Sequence, residues 1–197
     1  MGGLNLPPLM VLRHGQTEWN REGRMQGALD SPLTALGQSQ ALAQNRILKN
    51  VDVGHWDWVS SPQGRARATA AIAAAGITDD VRTDPALVEI GVGAWSGQLR
   101  AECLASLPPD VTVQDGPDGA LELYEYAPNG EGFEALRARC EAFVSALDRP
   151  SVLITHGITS RMIRAVILGL RNDQLAELPG GQGVVYSLIK GVQKRLE

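Results

Sequence analysis

An α/β sandwich on a largely parallel sheet is the fold class this 197-residue sequence predicts. Three observations lead there. Two short, unbroken apolar runs, Leu9-Met10-Val11-Leu12 and Ser151-Val152-Leu153-Ile154-Thr155, read as strands buried on both faces. Strand-like runs alternate with segments of helical period, the pattern of helices packed over a parallel sheet. Apolar residues make up 44% and charged residues 20%, which supports a packed core and argues against wholesale disorder.

In chain order, the strand at 9–12 follows Pro7-Pro8 and ends at Arg13-His14-Gly15. Residues 34–48 carry apolar side chains at helical spacing behind Ser31-Pro32 and Thr34, and read as a helix. Val59 lies in a short strand. Ser60-Ser61-Pro62 then opens an Ala-rich helix to about Ala75, and Gly76 fits its stop. Residues 97–106 predict a short helix. Residues 132–147 predict a clearer one, with Phe133, Leu136, Cys140, Phe143, Val144 and Leu147 along one face. The strand at 151–155 ends at His156-Gly157, and a helix follows to about Leu168. Residues 184–189 look like a last strand. No linker splits the chain, so residues 1–197 are expected to form one domain. The exception to regular patterning is residues 107–131, rich in Pro and Gly. That stretch holds Asp110, Asp115, Asp118, Glu122, Glu125 and Glu131 and no Lys or Arg, and reads as an acidic excursion that covers a site.

Composition excludes several roles. Lys+Arg is 18 against 22 Asp+Glu, a formal net charge of −4, so no nucleic-acid partner is expected. Nine aromatic residues are too few for a stacking platform. Cys103 and Cys140 form neither a disulfide framework nor a zinc knuckle, which predicts a reduced, cytoplasmic protein. The N-terminus lacks the basic region of a signal peptide, and no apolar run is long enough for a membrane span. The three histidines show no H-x-H or H-E-x-x-H spacing, so neither metal nor cofactor is expected.

The coincidence of two His-Gly strand ends carries the chemistry. Ligands of open α/β sheets bind beyond the carboxyl ends of strands, where two such histidines can face each other. A lone histidine usually packs or is solvated, and His55 is read that way. Arg13 adds a cation beside His14, and Arg65 can bring a second from the Ala-rich helix. Two arginines and two histidines suit a dianionic phosphate, because guanidinium forks match its oxygens.

Leu12-Arg13-His14-Gly15-Gln16-Thr17-Glu18-Trp19-Asn20 resembles the opening motif of the histidine phosphatase superfamily, phosphoglycerate-mutase-like branch. So, in order, do Arg24-Met25-Gln26-Gly27 with Asp30-Ser31-Pro32-Leu33-Thr34 and Gly37, then Ser60 to Ala66, then Leu87-Val88-Glu89-Ile90 with Gly93 to Gly97, and finally Thr155-His156-Gly157 with Arg161. The matches span about residues 9 to 165, and the ordered set is far more specific than one Arg-His-Gly. The resemblance implies a three-layer sandwich on a six-stranded, mixed, mostly parallel sheet, a possible homodimer, and two-step phosphoryl transfer. It makes His14 the nucleophile, and Arg13, Arg65 and His156 ligands of the phosphate oxygens. Asn20 donates to the same group, Glu89 is the proton donor and base, and Gln26, Gly27 and Gly157 contact substrate. Arg161 is expected to anchor its helix, and Trp19 and Trp95 to pack.

The expected function is a metal-independent phosphomonoesterase acting on a small phosphorylated metabolite. The alternatives are a cofactor-dependent phosphoglycerate mutase and a non-catalytic phospho-ligand-binding member. Hydrolysis is favoured because no Lys or Arg occurs between Arg100 and Arg137, and because the carboxylates of 107–131 would repel a bisphosphorylated intermediate. Val92 also stands where a mutase would carry a polar aromatic contact.

Overall fold

The computed structural model describes residues 6–113 and 121–197. Asp115 and Asp118 of the acidic excursion lie outside the described residues. Six strands form one sheet: β1 (Leu9–Arg13), β2 (Asp57–Ser60), β3 (Val81–Thr83), β4 (Ser151–Thr155), β5 (Val185–Ile189) and β6 (Val192–Leu196). Their spatial order is β3-β2-β4-β1-β5-β6. The first four pair in parallel, while β5 runs antiparallel to β1 and to β6.

The central strands are apolar on both faces because both faces are covered. Leu9 and Val11 of β1 enter one core with Val59, Leu153, Met162 and Ile163. Met10 and Leu12 enter the other with Trp58, Val152, Ile154 and the alanines of the third helix. Helices α2 (Ala35–Lys49) and α3 (Gly64–Ala74) pack together on that second face. Helices α5 (Gly132–Ser145) and α6 (Gly157–Leu168) pack together on the first. The three-layer α/β sandwich of the sequence reading is therefore present. Two short helices, α1 (Glu18–Glu22) and α4 (Arg100–Ala105), lie beyond the strand ends. No described helix is long and apolar enough to cross a membrane.

Most predicted elements recur within a residue or two. Two strands went unpredicted. β3 has three residues, two of them exposed, and β6 (VQKRL) is a polar edge strand that exists because β5 templates it. Residues 121–126 are also better packed than the composition of the acidic excursion suggests. Leu121–Tyr126 forms a 3₁₀ segment that buries Leu121 and Leu123 in the main core.

The sheet order makes the site. β1 and β4 are neighbours, with Arg13 in register with Thr155, and the His14 N–H donates to the Thr155 carbonyl at 2.9 Å. His14 and His156 therefore leave the sheet side by side. Gly15 is required there: a Cβ would sit 2.2 Å from the Gly37 carbonyl oxygen at the start of α2.

Candidate active site

A cavity of about 320 Å³ opens over these strand ends. Arg13, His14, Asn20, Gln26, Gly27, Arg65, Glu89 and Gly157 from the sequence reading all line it. His156 does not line it and is fully buried behind the wall. His55 is exposed, 3.6 Å from Asp52, and remote from this chemistry.

His14 is 2% exposed. Its Nδ1 lies 2.7 Å from the Gly15 carbonyl. A carbonyl only accepts, so Nδ1 carries the proton and Nε2 keeps its lone pair. Nε2 has no hydrogen-bond partner among the described residues. Burial lowers the His14 pKa well below 6.5, and the Arg13 and Arg65 cations lower it further, against the opposing pull of the Gly15 carbonyl. The ring is neutral at physiological pH and presents a free nitrogen.

His156 lies close, with ring centroids 5.2 Å apart in an edge arrangement. Its Nδ1 accepts from the Arg65 Nε–H at 3.2 Å, which leaves the proton on Nε2, 2.8 Å from the Ser61 hydroxyl oxygen. Burial is again the main cause of a pKa well below 6.5, followed by His14, Arg65, Arg13 and Arg139. Arg65 is 2% exposed and engages its whole fork inside the protein. Nη1 donates to the Leu29 carbonyl and Asp30, and Nη2 to the Gly27 carbonyl and Gln63. Direct phosphate contact by Arg65 requires one donor to exchange partners, and the 3.3 Å contact to Gln63 is the longest.

Glu89 sits at the N-terminus of α6. Oε1 accepts from the Ile90 N–H at 3.0 Å and the Thr159 N–H at 3.1 Å, and lies 3.1 Å from the Thr159 hydroxyl oxygen. Among the described residues, Oε2 has only the Ile158 N–H, at 3.3 Å. Gly157 lies beside both groups: a Cβ there would stand at van der Waals contact, 3.4 Å from Arg13 Cζ and 3.6 Å from Glu89 Oε2. Asn20 and Gln26 are held through the cap of α1. Thr17 Oγ1 takes the Asn20 N–H and the Gln26 amide, and Asn20 Oδ1 takes the Thr17 N–H and the Gln182 amide. Arg161 donates Nε–H to the Leu178 carbonyl and so anchors α6, while also lining the cavity. Trp95 is buried in the core.

The fold family is fixed by comparison with known proteins. Residues 9–191 match the model of the histidine phosphatase superfamily, branch 1. The chain belongs to that family. A relative from Escherichia fergusonii, a probable phosphoglycerate mutase GpmB, is 34% identical over 171 residues, covering 81% of this chain and 74% of that one. The corresponding protein of Proteus mirabilis is 35% identical, with the same coverage. Among solved structures, a mycobacterial glucosyl-3-phosphoglycerate phosphatase in complex with VO3 superposes with a TM-score of 0.78 at 30% identity, covering 97% of each chain. A protein of Thermus thermophilus, TTHB049, gives 0.69 at 32% identity, covering 96% of this chain and 98% of that one.

The cavity also holds residues to which the sequence assigns no site role. Arg24 and Arg100 reach the rim, Arg24 donating to Glu22 and to the Gly97 carbonyl. Arg100 lies 5.8 Å from the centroid of the Tyr124 ring. Tyr124 supplies the polar aromatic wall, and Val92 is a buried core residue. Gln182, in the loop before β5, donates to the His14 carbonyl from 168 residues away. Asp30 was legible only as part of its motif, yet it takes both the Arg65 N–H and its Nη1.

The acidic excursion requires a correction. Among the described residues, none of its carboxylates lines the cavity, to which it contributes Leu121 and Tyr124. Glu125 accepts from the Phe133 N–H at the start of α5, and Glu131 pairs with Arg139. For the described carboxylates, position in the sequence therefore does not tell where the charge points.

Proposed function

We propose that this family member hydrolyses a small phosphomonoester through a phosphohistidine, without a metal. The observation that carries the reading is the His14 ring: neutral, locked with its proton on Nδ1, and with Nε2 open to an arginine-lined cavity. Nε2 attacks phosphorus, the N–P bond forms, and the P–O bond to the leaving alcohol breaks. Arg13, Arg65 and the N-terminus of α6 supply the positive potential that a metal provides elsewhere. The Glu89 carboxyl, through Oε2, gives its proton to the departing alkoxide. Water then attacks phosphorus, the Nε2–P bond breaks, inorganic phosphate leaves, and the proton given up by the water returns to Glu89, which restores both side chains. His156 keeps Arg65 aligned through the Nδ1 contact, and binds phosphate itself only once its Nε2–H leaves Ser61.

Hydrolysis is preferred because the wall next to the cavity is built by Leu121 and Tyr124, and the chain has no Lys or Arg between Arg100 and Arg137. Arg24 and Arg100 at the rim, and relatives named probable phosphoglycerate mutase, favour the second reading. One experiment decides. With 3-phosphoglycerate and 2,3-bisphosphoglycerate present, inorganic phosphate is expected in step with alcohol product. Conversion to 2-phosphoglycerate much faster than phosphate release would replace hydrolase by mutase. EDTA is expected to leave the rate unchanged, and vanadate to inhibit. Loss on chelation restored by a divalent ion would overturn metal independence.

A further inference from the structure

We propose that the Glu131–Arg139 ion pair is a positioning device for Glu89, reaching the acid from outside the cavity through the backbone on both sides of it. Residues 88–92 belong to no helix or strand, so no ladder of backbone hydrogen bonds fixes them. Side chains do so instead. Arg139, on α5, donates Nη1–H to the Ala86 carbonyl at 2.7 Å and the Val88 carbonyl at 3.0 Å. Glu131 accepts from the Gly91 N–H at 3.1 Å, and its own N–H donates to the Gly91 carbonyl at 2.8 Å. The two side chains close the bracket with a bidentate pair, Nε to Oε1 and Nη2 to Oε2, both 2.9 Å. Glu89 stands between the held points. Thr155 and Thr159 complete the frame, donating to the Leu87 and Val88 carbonyls at 2.7 Å.

Neither Glu131 nor Arg139 lines the cavity, and both side chains are about one-fifth exposed. The pair is more than is needed to fasten α5, whose own apolar face is buried in the core. Its donors go to the backbone flanking one carboxylate. Arginine is suited to that task, because one planar fork can hold a carboxylate with one edge and two carbonyls with the other.

The inference rests on Glu89 as proton donor, and the test separates the two. Hydrolysis of an alkyl phosphate, a poor leaving group, is compared with that of nitrophenyl phosphate in Glu131→Gln, Arg139→Gln and Glu89→Gln proteins. Displacing a general acid by even an ångström is expected to cost roughly 10- to 100-fold in kcat/KM on the alkyl ester. On nitrophenyl phosphate, which leaves with little protonation, the loss is expected to stay below about threefold. In a Glu89→Gln background the clamp variants should add no further discrimination. Far-UV circular dichroism and thermal midpoint report folding. If Arg139→Gln does not fold, Glu131→Gln, which keeps an acceptor for Gly91, carries the test. Equal losses on both esters, or losses that add to Glu89→Gln, would overturn the clamp and leave Glu89 in place. No discrimination by Glu89→Gln itself would overturn the donor assignment and the clamp with it.

Discussion

His14 and His156 leave adjacent parallel strands in the same His-Gly pair, and the protein puts them to opposite uses. At His14 the Nδ1 proton goes to the neighbouring carbonyl and Nε2 stays open to the cavity. At His156 both nitrogens are engaged, one with Arg65 and one with Ser61, and the ring is walled off. Burial and a lowered pKa at both rings do not make equal chemistry. In the proposed mechanism, what would separate a nucleophile from a supporting group is whether Nε2 is left open, as at His14, or engaged, as at His156. The flanking arginines follow the same division: Arg65 is satisfied inside the wall, and serves the site by its charge and by holding His156.

The largest break in the comparison is expected from His14→Ala. Removing the nucleophile should lower turnover by about 10⁴-fold or more, as for other covalent catalysts. His156→Ala should cost less, on the order of 10²- to 10³-fold, the range for losing a group that stabilises developing charge. Steady-state rates on nitrophenyl phosphate check both. Equal losses would erase the distinction drawn here.

A subtler effect is shared by both rings. Each has a folded pKa well below the ordinary 6.5, so the unfolded chain takes up protons first as pH falls. Their contribution to stability is present in full above about pH 6.5 and is lost as pH falls from there toward the folded values. Thermal midpoints measured from pH 7.5 down to about 5 should decline, and a His156→Asn protein should show a shallower decline. An unchanged slope would mean that His156 is not buried neutral. In kcat/KM, the acidic limb owed to His14 should lie well below 6.5. The smallest effect is expected from Ser61→Ala, which strands the buried His156 Nε2–H at a cost of about 1–3 kcal/mol. Activity there should fall less than in His156→Ala, as urea titration and rates together would reveal.

The same contrast marks what the sequence could disclose. β1 and β4 were legible because burial on both faces leaves an apolar run, and their ends display Arg13, His14 and Gly157. β6 was not, because an edge strand faces solvent and carries Gln193, Lys194 and Arg195 like any loop. That both histidines meet was readable from repeated His-Gly ends. Their different hydrogen bonds were not, since Ser61 and Arg65 come from another strand end and helix. Gln182 and Tyr124 escape for the same reason: the chain path, not any local pattern, brings them to the cavity. Cys140 shows the opposite case. A cysteine on the apolar face of a predicted helix is indeed buried, and burial pushes its thiol up to about 12.

The most direct test of the division between the two histidines is to trap the intermediate. A phosphomonoester labelled in the phosphate is mixed with enzyme, quenched within one turnover in base, and the labelled peptide is sequenced. Label is expected on His14, acid-labile and base-stable, both in the wild-type protein and, accumulating more slowly, in His156→Ala. Label on His156, or full turnover with no labelled histidine at any time, would contradict the account.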